Sequence, residues 1–128
     1  MFYVDGFVLA VPKANLDAYR ALATTAGEVW MSHGALSYVE CLADDVPEGK
    51  LTSFPLAVKA EPDEIVVLSW IIYPSRAARD EINKKVMADP RLACDPDNMP
   101  FDGKRMIFGG FLPAVTFGAA PFDLVSTK

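Results

Sequence analysis

The sequence predicts an α+β fold of ferredoxin-like order, β-α-β-(β)-β-α-β, with an antiparallel sheet and both helices on one face. Three observations predict it. Two stretches of helical spacing each lie between segments of β-type alternation. The returns between strands are hairpin-like, which favours antiparallel pairing. Large rings at Phe7, Tyr38 and Trp70 fall on alternating faces, so the sheet face away from the helices is also apolar. A second copy of the chain is the simplest cover for such a face, and a homodimer is expected.

Each element has its own signal. Tyr3 to Val11 reads as a strand closed by Pro12. One face carries Tyr3, Asp5, Phe7 and Leu9. The other, with Val4, Gly6, Val8 and Ala10, is small and suits the close approach of a helix. Asn15 can cap a helix running to about Ser32, with Asp17 in its positive first turn. Leu16, Tyr19, Leu22, Ala23, Ala26, Val29 and Trp30 form its buried stripe, and Gly34 is the left-handed stop. Ala35 to Ala43 alternates Leu36, Tyr38, Glu40 and Leu42 against Ser37, Val39, Cys41 and Ala43, the pattern of a second strand.

After a polar loop, Phe54, Leu56 and Val58 alternate, so the latter part of 51–60 is expected to be an extra strand, with Pro55 at an edge or strand start. Ile65 to Tyr73 is the most apolar strand. Ser75 is the N-cap of a second helix whose buried row is Ala78, Ile82 and Val86, and Asp89-Pro90 ends it. Residues 90–103 are rich in turn formers. Lys104 to Leu112 is the last strand, and 113–128 is an extension expected to pack on a neighbour.

Composition bounds the function. A chain of 128 residues fits one domain, 1–128. At this length folding buries roughly two thirds of the surface of the unfolded chain, enough for a core without staples. The net charge of −5, from 12 basic and 17 acidic side chains, offers no basic stripe for a phosphate backbone, so no nucleic-acid partner is expected. Cys41 and Cys94 lie far apart with no CxxC spacing, which points to a reducing, cytoplasmic compartment. The amino terminus lacks the basic n-region of a signal peptide, and the apolar run 106–120 is too short and too rich in glycine to span a membrane.

At this point the residues resemble a known family. Tyr3-Val4-Asp5-Gly6-Phe7, Gly34-Ala35-Leu36, Val39-Glu40-Cys41, Asp45-Val46-Pro47, Ser69-Trp70-Ile71 and Tyr73-Pro74-Ser75 are similar to the YbaA-like bacterial family, domain of unknown function 1428. So is the block Met99-Pro100-Phe101-Asp102-Gly103-Lys104-Arg105-Met106-Ile107, and the resemblance covers about residues 2–111. It implies a dimeric α/β barrel, an architecture shared with small monooxygenases and isomerising enzymes, and it implies no reaction.

The candidate chemistry centres on two carboxylates. Asp5 and Glu40 each lie within a strand among large apolar neighbours on the same face. Such surroundings destabilise the charged form of a carboxylate and equip it for acid/base work. A hydrogen bond to Tyr or Ser, or a salt bridge from Arg105, is the structural alternative. Tyr38 and Trp70 could pack against a planar ligand, and Arg105 could hold an anionic group. His33, the only histidine, sits at a helix end where it interacts with the dipole and packs its ring. One histidine and two distant cysteines give no zinc or iron site, and no phosphate-binding glycine motif occurs, so no metal or cofactor is expected. Cys41 is expected to be buried and inert. Gly109-Gly110 suggests a bulge or the close approach of another group.

Two functions fit these residues. One is cofactor-independent proton transfer on a small organic compound, with Asp5 or Glu40 as acid/base. The other is a non-catalytic dimeric module in which the same polar residues fix register.

Overall fold

The computed structural model describes residues 1–93 and 96–118; Cys94 and residues 119–128 of the expected extension lie outside the described residues. Four strands, β1 (Tyr3–Pro12), β2 (Ser37–Leu42), β3 (Glu64–Tyr73) and β4 (Ile107–Phe111), pair antiparallel in the order β2-β3-β1-β4. Between them run α1 (Leu16–Ser32), a one-turn α2 (Phe54–Ala57) and α3 (Arg76–Met87). This is the expected ferredoxin-like βαββαβ arrangement. Register sets which side chains share a row. Tyr38, Ile71, Asp5 and Gly110 are mutual partners across the sheet; Glu40, Ser69, Phe7 and Phe108 form the next row on the same face.

Both long helices pack on that face, over Leu9, Val11, Val67, Ile71 and Tyr73. Tyr19 and Val29 of α1 and Ile82 and Val86 of α3 supply the buried stripes. The expectation that the small face of β1 would receive a helix is overturned. Burial is worth more per residue on the face carrying Tyr3, Phe7 and Leu9, and small side chains could not fill the layer beneath two helices. Gly34, at φ +114°, ends α1 as expected. Asn15 precedes the helix, but its side chain makes no cap and instead donates Nδ2–H to the Pro100 carbonyl at 3.1 Å. Ser75 does cap α3, its Oγ accepting from the Ala78 N–H at 3.0 Å. His33 lies at the end of α1 with Nε2 2.8 Å from the Asp89 carboxylate.

The expected extra strand is a helix turn. Ser53 Oγ accepts from the Leu56 N–H at 3.0 Å, and Pro55 occupies the first turn, where no N–H is needed. Of the three alternating residues only Val58 is buried, against Ala10 and Val66 on the far face of the sheet. Part of that face stays open: Leu68, Ile107 and Phe111 are 39%, 45% and 62% exposed, whereas Ile72 on the same face is buried. Cys41 belongs to it and to an edge strand, so it is exposed rather than buried. The last strand starts at Ile107, because Gly103–Arg105 forms a 3-10 turn capped by Asp102. Among the described residues no helix is long and apolar enough to cross a membrane.

Candidate functional site

A cavity of about 180 Å³ lies between α1 and the sheet. Phe7, Leu9, Ser69 and Ile71 form its floor, and Leu22, Ala23, Ala26 and Trp30 of α1 form its roof. Phe101 and Met106 close one end. That end wall is anchored from three sides: Asn15 on the Pro100 carbonyl, the Tyr19 ring edge-on to Phe101 at 5.6 Å, and Arg105 on Glu64. Outside, between α1 and the edge strand β2, a trough of about 700 Å³ takes in Arg20, Glu28 and Met31. Tyr19, Ala23, Tyr38 and Glu40 line both spaces, so these four side chains are the wall between them.

Glu40 is the centre of that wall. The Tyr19 hydroxyl donates to its Oε1 and the Tyr38 hydroxyl to its Oε2. Burial first, then the bond to the Glu40 carboxylate, pushes both phenols well above their ordinary range, so each keeps its proton for Glu40. The Tyr38 ring fits there because Gly27 faces it: a Cβ at that position would sit 3.1 Å from Cδ1 of the ring. Trp30 packs on the same ring, with centroids 6.0 Å apart.

Asp5 shares the sheet face with Glu40 but lines neither space. Two strand spacings and two residues separate them, about 12 Å from strand geometry. Asp5 is buried, and both its oxygens are engaged. Tyr73 donates to Oδ2 at 2.9 Å, and Arg79 Nε lies 3.2 Å from Oδ1. Contact there is an ion pair without hydrogen-bond alignment, since Arg79 Nε is buried with no acceptor. Burial and then Asp5 push the Tyr73 phenol upward. The Arg79 guanidinium also lies over the Tyr3 ring, 4.9 Å from its centroid, and Gly110 leaves room for both, because a Cβ there would collide with Arg79 and the Tyr3 hydroxyl. The close approach expected at Gly109-Gly110 is therefore made by the chain's own side chains. From Tyr73 the polar chain continues to Asn83 Oδ1 at 3.3 Å, which accepts from the Trp30 indole N–H at 3.0 Å.

Of the sequence candidates, Glu40 and Tyr38 come together at the cavity. Trp70 does not: it pairs with Gly6 and Val39, on the opposite face of the sheet. Arg105 does not either. Its guanidinium binds both Glu64 oxygens at 2.7 Å, the Lys59 carbonyl at 2.8 Å and Asp102 at 3.0 Å, a structural clamp rather than an open anion site. The cation beside Asp5 is Arg79, from a helix, where Arg105 was the expected source.

Sequence reasoning passed over Tyr19 and Trp30 as members of the site, having placed them in the apolar stripe. Their hydroxyl and indole N–H, which must find partners when buried, were the available signal. Among the described residues no cluster of three His, Cys, Asp or Glu side chains could hold a metal ion.

The family described as "Protein of unknown function (DUF1428)" matches residues 2–103. The uncharacterized protein YbaA of Escherichia coli K12 is 58% identical over 111 residues, 87% of this chain and 95% of that protein. Among solved structures, an uncharacterized NIPSNAP domain protein from Burkholderia xenovorans superposes with a TM-score of 0.54 at 13% identity, covering 91% of this chain and 99% of that one. A variant of SnoaB, a cofactor-independent oxygenase from Streptomyces nogalater, gives 0.50 at 11% identity, over 92% and 98%. The two structures share the fold with this chain, and the sequence matches go further: the chain belongs to the DUF1428 family.

Proposed function

We propose that this chain is a homodimeric, cytoplasmic α/β-barrel protein that takes a small organic molecule into the cavity between α1 and the sheet. Glu40 is its acid/base group for cofactor-independent proton transfer. One observation carries the reading: a carboxylate held by two tyrosine hydroxyls in the wall of a cavity whose remaining lining, Ser69 apart, is apolar. A structural carboxylate would more simply take a cation, as Asp5 and Glu64 do. That SnoaB, of similar fold, is a cofactor-independent oxygenase lends analogy only. Asp5, sealed by Tyr73 and Arg79, is assigned to structure.

The dimer is supported by the open apolar face around Leu68, Ile107 and Phe111. The compartment is supported by Cys41, a free, exposed thiol.

Native mass spectrometry of the gently purified protein tests both parts. A dimer carrying a reproducible small adduct is expected, and Ala26→Phe, which fills the cavity, should lose the adduct while remaining dimeric. A monomer would remove the barrel. Adduct mass unchanged in Ala26→Phe would place the ligand elsewhere.

A further inference from the structure

The chemistry of the inner cavity also limits what can enter it, and this inference rests on the reading of the cavity as a ligand site. None of the residues lining it is Lys, Arg or His. The nearby guanidinium groups are spent elsewhere, Arg79 on Asp5 and Arg105 on Glu64. Arg20 and Glu28 face the outer trough, one of each sign, and belong to that space alone.

At the wall, the tyrosine protons are already given to Glu40. What remains towards a ligand is mostly acceptor capacity, one free lone pair on each Glu40 oxygen and the phenolic oxygens themselves, with the Ser69 hydroxyl on the floor as a neutral donor that carries no charge for an anion. An anion entering here would lose its water beside a carboxylate with no cation to compensate. A neutral hydrogen-bond donor would gain a charge-assisted bond.

Size and shape narrow the class further. A dry cavity of about 150 Å³ lined by apolar side chains accepts benzene, and this one is about 180 Å³. Phe7, Trp30 and Phe101 give it an aromatic lining. We infer that its ligand is a single-ring arene carrying a neutral O–H or N–H donor, held through that donor by Glu40, and that one-ring carboxylates are excluded.

Phenol and toluene, matched in size, and the slightly larger benzoate are the probes. Binding to the full chain is read from Trp30 fluorescence in a Trp70→Phe background, since Trp70 lies on the opposite sheet face. Phenol should bind about ten- to a hundredfold tighter than toluene, the ratio one hydrogen bond to a charged group supplies. Benzoate should bind at least a hundredfold more weakly than phenol. In Glu40→Gln the phenol advantage should shrink to a few-fold and benzoate should gain.

Equal affinity for phenol and toluene, or tight binding of benzoate, overturns the assigned class while leaving the cavity a ligand site. Failure of all three to bind overturns the ligand site itself. Should Glu40→Gln not fold, the wild-type ratios decide alone.

Discussion

Alanine in place of glycine inside a helix ordinarily stabilises a protein by about 1 kcal/mol. Gly27, within α1, should behave in the opposite way. The new methyl would stand 3.1 Å from Cδ1 and 3.3 Å from Cε1 of Tyr38, closer than carbon atoms rest. The ring cannot simply slide, because its hydroxyl is held by Glu40 and Trp30 packs against it. Overpacking of this kind costs about 1–3 kcal/mol. Set against the propensity gain, Gly27→Ala should lose about 0–2 kcal/mol, with a Tm lower by up to about 8 °C for a chain of this length. Thermal unfolding followed by circular dichroism measures it. A double-mutant cycle isolates the cause: in a Tyr38→Ala background the same substitution should regain its ordinary stabilisation of about 1 kcal/mol. A Tm that rises by about 4 °C in the wild-type background would refute the argument that Tyr38 is pinned.

Two further outcomes follow from the charged pairs. Arg79→Met should destabilise by about 3–5 kcal/mol in urea titration, because buried Asp5 keeps only its tyrosine partner; Asp5→Asn in the same chain should recover much of that loss, and a single-variant cost below about 1 kcal/mol would contradict the buried-pair account. Hydrogen bonds from Arg105 hold the Glu64 carboxyl below its ordinary value, so its contribution is present above about pH 4.3 and is lost as pH falls through the lower folded value. Glu64→Gln should therefore lower stability at pH 7 and flatten the acid limb of the stability curve, whereas an acid limb as steep as that of the wild type would assign the pH dependence to other groups.

Periodicity and punctuation made most of the fold legible. The stripe from Leu16 to Trp30 and the stop at Gly34 defined α1, and Ser75 with Ala78, Ile82 and Val86 defined α3. Segment 51–60 was misread because Phe54, Leu56 and Val58 alternate without a sheet to alternate against. Ser53 two residues before Pro55 was a helix-start signal that outweighed them. Facing is a tertiary property: alternation divides Tyr38 and Glu40 from Val39 and Cys41, but only the strand register puts Trp70 with the latter. Asp5 and Glu40 look alike in sequence, each a carboxylate among rings. Their difference lies in Arg79, 74 positions from Asp5 in the chain and adjacent in space, which no local pattern encodes.

The end wall at Phe101 and Met106 has a kinetic consequence. It is carried by irregular backbone and held through a few side-chain anchors, while the floor and roof of the cavity belong to the sheet and α1. Releasing those anchors widens the cavity at this end at a fraction of the free energy of global unfolding. Exchange of the proposed ligand through this end would follow that local fluctuation, and a chain made globally more stable through β1 and β3 would exchange it no more slowly. A ligand resting on Phe101 would in turn slow amide hydrogen exchange across residues 99–106 and leave the strand amides unchanged.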